Sequence, residues 1–201
     1  MKWKCFSPVL SIPAVALFLC VPAAVVISED RPQHLQVLGS RDSELEKTLN
    51  ETVARLLEAI RKKDNARFLS LVSRAGMGIG ADGQTSYREI QKEFKERRDA
   101  YCLYFDTTCW QAELTEIGHK PGEDLDGILP FPVSYHQVLN TVTGLEVHTE
   151  IRKLRDTSEP FGSVTVRWKS PRPRDLGLTS FLNFGFVLEK GKWRLRYDTF
   201  P

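Results

Sequence analysis

From residue 43 onward, apolar side chains recur at three- and four-residue steps: Leu45, Leu49, Val53, Leu56, Leu57 and Ile60. The spacing gathers them on one stripe and predicts an amphipathic helix with Ser43 as its N-cap. After a Lys62-Lys63-Asp64 bend, Asp64 caps a short second helix whose Phe68, Leu69, Leu71 and Val72 face inward. The glycines of residues 76–83 break the helical pattern. Ser86 with Glu89 three positions on forms a capping box at the start of a third helix over residues 87–101, buried through Ile90, Phe94 and Tyr101.

The second half alternates with period two. Leu145, Val147, Thr149 and Ile151 oppose Glu146, His148, Glu150 and Arg152, the pattern of a strand with one wet face. Val164, Val166 and Trp168 oppose Thr165, Arg167 and Lys169 in the same way. Leu182, Phe184, Phe186 and Leu188 lead into a Lys190-Gly191 turn, from which Trp193, Leu195 and Tyr197 return against Lys192, Arg194 and Arg196. That is a hairpin. Helices first and antiparallel strands after them predict an α+β domain, with helices covering one face of a curved, mainly antiparallel sheet.

The N-terminal segment changes the picture. Lys2 and Lys4 precede an uncharged run that ends only at Glu29, and small residues lie near the end of that run. A basic start, an apolar run and small residues make the three-part pattern of an export signal. Cleavage after Ala23, Ala24 or Ser28 fits equally. The run is also long enough to serve as an uncleaved membrane anchor, and the positive-inside rule then puts the body outside the cytoplasm. Cys20 lacks the small preceding residue of a lipoprotein box, because Leu19 stands there. The expected organisation is residues 1–28 as signal or anchor, 29–43 as linker and 44–201 as one domain in a periplasmic or secreted setting.

Those two lysines account for the whole formal charge of +2, leaving 26 basic and 26 acidic side chains in residues 29–201. A neutral body lacks the basic excess of a nucleic-acid binder. Cys102 and Cys109, the two cysteines beyond the signal, are a disulfide candidate in an oxidising compartment, with two buried thiols as the alternative. Their spacing fits neither a Cys-x-x-Cys redox pair nor a zinc site.

Gly78-x-Gly80-x-x-Gly83 matches a dinucleotide fingerprint, with Asp106 at a suitable distance beyond it. The mechanism needs those glycines directly after a buried strand, so that the next helix aims its N-terminus at pyrophosphate. Here they follow a capped helix, and Gln84 and Thr85 intervene before the Ser86 cap. No cofactor is expected.

The order of helix, Lys-Lys-Asp bend, short helix, glycine-rich strand, capped helix and a final Phe-x-Leu-x-Lys-Gly-Lys-Trp-x-Leu hairpin resembles the nuclear transport factor two-like superfamily, which includes the ketosteroid isomerase-like cones. The likeness spans about residues 44–200, with a long irregular insert near 107–134. It implies a cystatin-like cone whose concave sheet and helices enclose a pocket, used in some members by isomerases, dehydratases or cyclases and in others for binding alone, so fold leaves function open. The ketosteroid isomerase constellation does not carry over, because residues 73–79 hold no carboxylate and the first helix holds no tyrosine. Tyr101, Tyr104, Asp106, His136 and Asp198 remain as ionisable candidates for a pocket. Each has a plainer role: core aromatics for the tyrosines, a turn residue for Asp106, a surface or structural histidine for His136. His148 and Glu150 share the wet face of their strand. The sequon Asn50-Glu51-Thr52 falls mid-helix. The leading expectation is an exported, non-catalytic domain that binds a small apolar ligand or an envelope protein, with a small acid–base lyase or isomerase as the alternative. Phe181 and Val187 on the outer sheet face suggest a homodimer.

Overall fold

The structure is a computed structural model describing residues 40–79, 83–120, 130–153 and 159–199. The segment expected to be a signal or anchor, its expected cleavage sites and Cys20 lie outside the described residues, as does most of the expected linker. Among the described residues, no helix is long and apolar enough to cross a membrane.

Helix α1 (Ser40–Arg61) starts three residues before the expected Ser43 cap, and its Leu49, Val53, Leu56, Leu57 and Ile60 form the buried stripe that the periodicity predicts. Asn50 and Thr52 of the sequon both lie within this helix, and Thr52 is buried. Lys63 takes a left-handed conformation at the bend, and Asp64 then caps α2 (Asn65–Leu71), its Oδ1 accepting from the Arg67 N–H at 3.0 Å. Strands β1 (Met77–Ile79) and β2 (Gln84–Thr85) pair antiparallel, so Gly78 lies inside a strand rather than after one. A side chain at Gly78 would press on the Tyr197 ring, which explains this glycine without a phosphate.

Helix α3 (Tyr87–Glu96) begins at the Ser86 cap, with the Glu89 N–H donating to the Ser86 hydroxyl. It ends five residues before the expected boundary. Arg97 and Asp99 both have positive φ, and this kink starts a separate helix α4 (Ala100–Phe105), in which every residue is buried. The stretch expected to be an irregular insert opens with another helix, α5 (Thr107–Glu116), and residues 135–141 form α6 (Tyr135–Thr141). Ser134 caps α6 through the Gln137 N–H.

The remaining strands are β3 (Glu146–Lys153), β4 (Pro160–Arg167), β5 (Leu182–Glu189) and β6 (Lys192–Thr199). They complete a six-stranded sheet in the order β2-β1-β6-β5-β4-β3, antiparallel except where β1 runs parallel to β6. The α+β class is therefore as expected. Lys190 and Gly191 both have positive φ, as a tight two-residue hairpin turn requires. Val164, Val166, Leu182, Phe184, Phe186, Trp193 and Leu195 turn inward onto the helices, and the Trp193 indole N–H donates to the Leu45 carbonyl at 3.0 Å.

Strict alternation fails at one place. Leu195 pairs with Phe186 and Tyr197 with Gly185, so Arg196 is an extra residue, a bulge on β6. The slip inverts the facing of the residues beyond it. Tyr197, expected inside, is 43% exposed, and Asp198 is 1% exposed, opposite Phe184 on the inner face.

Candidate functional site

The bulge delivers a carboxyl group into the interior. Asp198 from β6 accepts from the Tyr104 hydroxyl of α4 at 2.6 Å on one oxygen and from the Tyr135 hydroxyl of α6 at 3.0 Å on the other. Tyr104 also lies 3.7 Å from the Met77 sulfur. Burial disfavours the charged form and pushes the Asp198 carboxyl up from 3.8 to about 7, against the two phenolic hydrogen bonds that favour its ionised form. Burial and the neighbouring carboxylate hold both phenols well above the ordinary tyrosine range. Of the three groups, the carboxyl gives up its proton most readily.

Aromatic rings enclose this cluster. Phe68 lies 4.4 Å from Tyr104, ring centre to ring centre, and Tyr104 stands edge-on to Tyr135 at 5.1 Å. Tyr135 meets Phe184 at 6.0 Å, and Phe68 packs against Phe94 and Phe105. Tyr104, Tyr135, Phe68, Phe105 and Phe186 are all fully buried. Among the described residues, the space around Asp198 is taken up by these buried rings.

Of the residues singled out from the sequence, the structure brings Tyr104 and Asp198 together and leaves the others apart. Tyr101 is a core ring, edge-on to Phe94 and Phe105. Asp106 caps α5, its Oδ1 accepting from the Cys109 N–H at 3.1 Å, and so is committed to local structure. His136 sits on helix α6, and its Nδ1 lies 3.1 Å from the Ile60 carbonyl, a structural position. Tyr135 escaped sequence reasoning. Its signal was present in Ser134 with Gln137 three residues on, followed by Val138 and Leu139, a helix start that would have placed Tyr135 at the first helical position.

Cys102 and Cys109 are joined as a disulfide, with Cα atoms 5.2 Å apart. Both sulfurs lie near the Arg97 carbonyl, so the bridge ties α4 and α5 to the kink that ends α3. Ligand atoms of Cys102, Cys109 and Glu113 fall within 4.8 Å of one another. With the sulfurs bonded to each other, only the Glu113 carboxylate is left to coordinate, fewer than the three or four protein ligands of a zinc site.

A second feature lies on the outside, at the end of the β5–β6 hairpin. Arg74, Ala75, Glu189, Lys190, Lys192 and Arg194 line an open groove of about 690 Å³. The Glu189 carboxylate is engaged by the Ser73 hydroxyl and the Arg74 backbone N–H. The Arg74 guanidinium sits over the Tyr87 ring at 4.3 Å, and Arg194 donates to the Ser70 carbonyl. Four cationic residues thus line the groove beside one carboxylate, a surplus of positive charge.

No family model matches the chain, and no curated protein matches it. Among solved structures, a protein of unknown function with a cystatin-like fold from Nostoc punctiforme is 16% identical, over 77% of this chain and 88% of that one, with a TM-score of 0.35. A candidate dehydratase of the NTF2-like family from Streptomyces avermitilis is 12% identical, over 79% of this chain and 95% of that one, with a TM-score of 0.33.

Proposed function

We propose that this chain is an exported, non-catalytic binding domain that takes an acidic segment of an envelope protein in the groove between Arg74 and the β5–β6 hairpin. One observation carries the reading. Both oxygens of the interior carboxyl group are already met by phenols and ringed by buried aromatics, whereas the groove is open and carries four cations. An interior packed in this way favours the protein partner over the small apolar ligand, because a ligand would have to displace core side chains. The disulfide accords with an oxidising compartment outside the cytoplasm.

The test is a pair of titrations of the secreted chain. A hexaglutamate peptide is expected to bind saturably, more weakly as salt is raised, and about tenfold or more weakly to a Lys190→Glu, Lys192→Glu variant. Nile red, a neutral apolar dye, is expected to show no stoichiometric binding. Stoichiometric dye binding with no peptide binding would overturn the proposal.

A second reading, an acid–base lyase or isomerase, draws on the Asp198 carboxyl titrating near neutrality with two phenols at 2.6 and 3.0 Å. A substrate would then have to reach Asp198, and the dye titration also tests that access.

A further inference from the structure

We propose that the outer edge of β3 pairs with the same edge of a second copy of this chain, antiparallel and centred on Thr149. This goes beyond the reading above and does not depend on it. β3 ends the sheet order, and among the described residues no strand lies along its second edge. An unpaired strand of that length presents a row of N–H and C=O groups, a template for another strand.

Two identical strands related by a two-fold axis can pair antiparallel only with the axis through a residue. Paired residues must lie on the same face of the sheet, and successive residues alternate faces. Each choice of centre therefore fixes which charges meet. Centred on Thr149, Glu146 faces Arg152 and His148 faces Glu150 on the outer side, while Val147 faces Ile151 on the inner side. Centred on His148, Glu146 faces Glu150. Centred on Glu150, that residue faces its own copy. The Thr149 register alone of these three gives each charged side chain between Glu146 and Arg152 a complementary partner, and opposite charges across strands stabilise where like charges destabilise.

The surface of β3 agrees with this occupant. Val147 is 40% exposed although it lies on the inner face, and pairing would cover it with Ile151 of the partner strand. Among the described residues, His148 lies beside Glu146 at 3.8 Å and Arg152 beside Glu150 along the same strand, and Glu146 also stands opposite Arg167 of β4. Exposed pairs of that kind are weak and give way readily to cross-strand partners. Charged edge strands usually serve to prevent pairing, but a charge order that complements itself about one residue removes that protection for one partner, the strand itself.

Sedimentation equilibrium of the secreted chain tests the pairing. Wild type is expected to show a concentration-dependent dimer. Arg152→Glu and Glu146→Arg are each expected to weaken self-association about tenfold or more, because each sets like charges face to face at both ends of the strand. Mixed in equal amounts, the two variants are expected to form a heterodimer, since one strand then carries Glu at both positions and the other Arg. A wild-type monomer up to about 1 mM would overturn the proposal. So would a dimer that neither variant weakens, which would move the interface to the sheet face of Phe181 and Val187.

Discussion

The two adjoining strands β5 and β6 carry two carboxyl groups that are each met by a hydroxyl, and their surroundings are opposite. Asp198 is sealed among Tyr104, Tyr135 and a shell of aromatic rings, whereas Glu189 sits at the open hairpin end with Ser73, amid Arg74, Lys190, Lys192 and Arg194. In the interior nothing offsets the cost of burial except two phenols, and the acid is held toward its protonated form. At the groove, the carboxylate accepts from the Ser73 hydroxyl and the Arg74 N–H beside an open, solvent-facing surface. The same functional group therefore ties β6 to α4 and α6 inside the core in one place and borders a surface lined by cations in the other.

The largest effect that separates the two is pH dependence. The folded Asp198 carboxyl titrates at about 7 against 3.8 when unfolded, so folding favours its protonated form. Its contribution is present in full below about pH 4 and is lost as pH rises through about 7, a change of about 4 kcal/mol at most. Urea denaturation at stepped pH values between 4 and 8 should show this as the difference between wild type and Asp198→Asn. Buried Glu93 also has a raised carboxyl, again chiefly through burial, and it remains in both proteins, so the difference isolates Asp198. A wild-type curve parallel to that of the variant would remove the claim that the acid is sealed.

Next in size is Tyr135→Phe, which deletes the 3.0 Å hydrogen bond to Asp198 while keeping the ring. It should cost about 1–3 kcal/mol where the acid is ionised and less where it is protonated, because the lost donor served the charged form. Equal costs at pH 5 and pH 8 in the same denaturation series would count against that assignment. The smallest effect on stability is expected from Glu189→Gln. Ser73 donates to one Glu189 oxygen and the Arg74 N–H to the other, so the amide oxygen keeps the Arg74 N–H while its NH2 turns to donate to the Ser73 oxygen; the thermal midpoint should change little while hexaglutamate binds more tightly to a groove with one negative charge fewer.

The sequence made one half of this contrast legible and hid the other. The α1 stripe, the Asp64 and Ser86 caps and the Lys190-Gly191 turn rest on local chemistry, and each forms where its residues predict it. The α3 boundary misled because the apolar spacing continues from Phe94 to Tyr101, while the chain between them turns through positive φ at Arg97 and Asp99, neither of them a glycine. The inward turn of Asp198 depends on a one-residue bulge, and alternation read along β6 alone assigns Tyr197 to the core in its place. Gly185 on the opposite strand was the available sign, since a glycine inside a strand often marks a bulge or a close approach. A side chain there would meet the Phe161 ring and the Tyr197 Cβ. The Asp198 cluster also joins residues 63 and 94 positions apart, a separation that no local pattern encodes.

The central claim, that this chain binds through its outer groove around a closed interior, is tested most directly by calorimetric titration of hexaglutamate into two variants beside wild type. Asp198→Asn is expected to bind as wild type does, and the Lys190→Glu, Lys192→Glu variant to lose about tenfold or more in affinity. The opposite pattern, with binding lost on changing Asp198 and kept on reversing the two lysines, would contradict the account and place the working site in the interior.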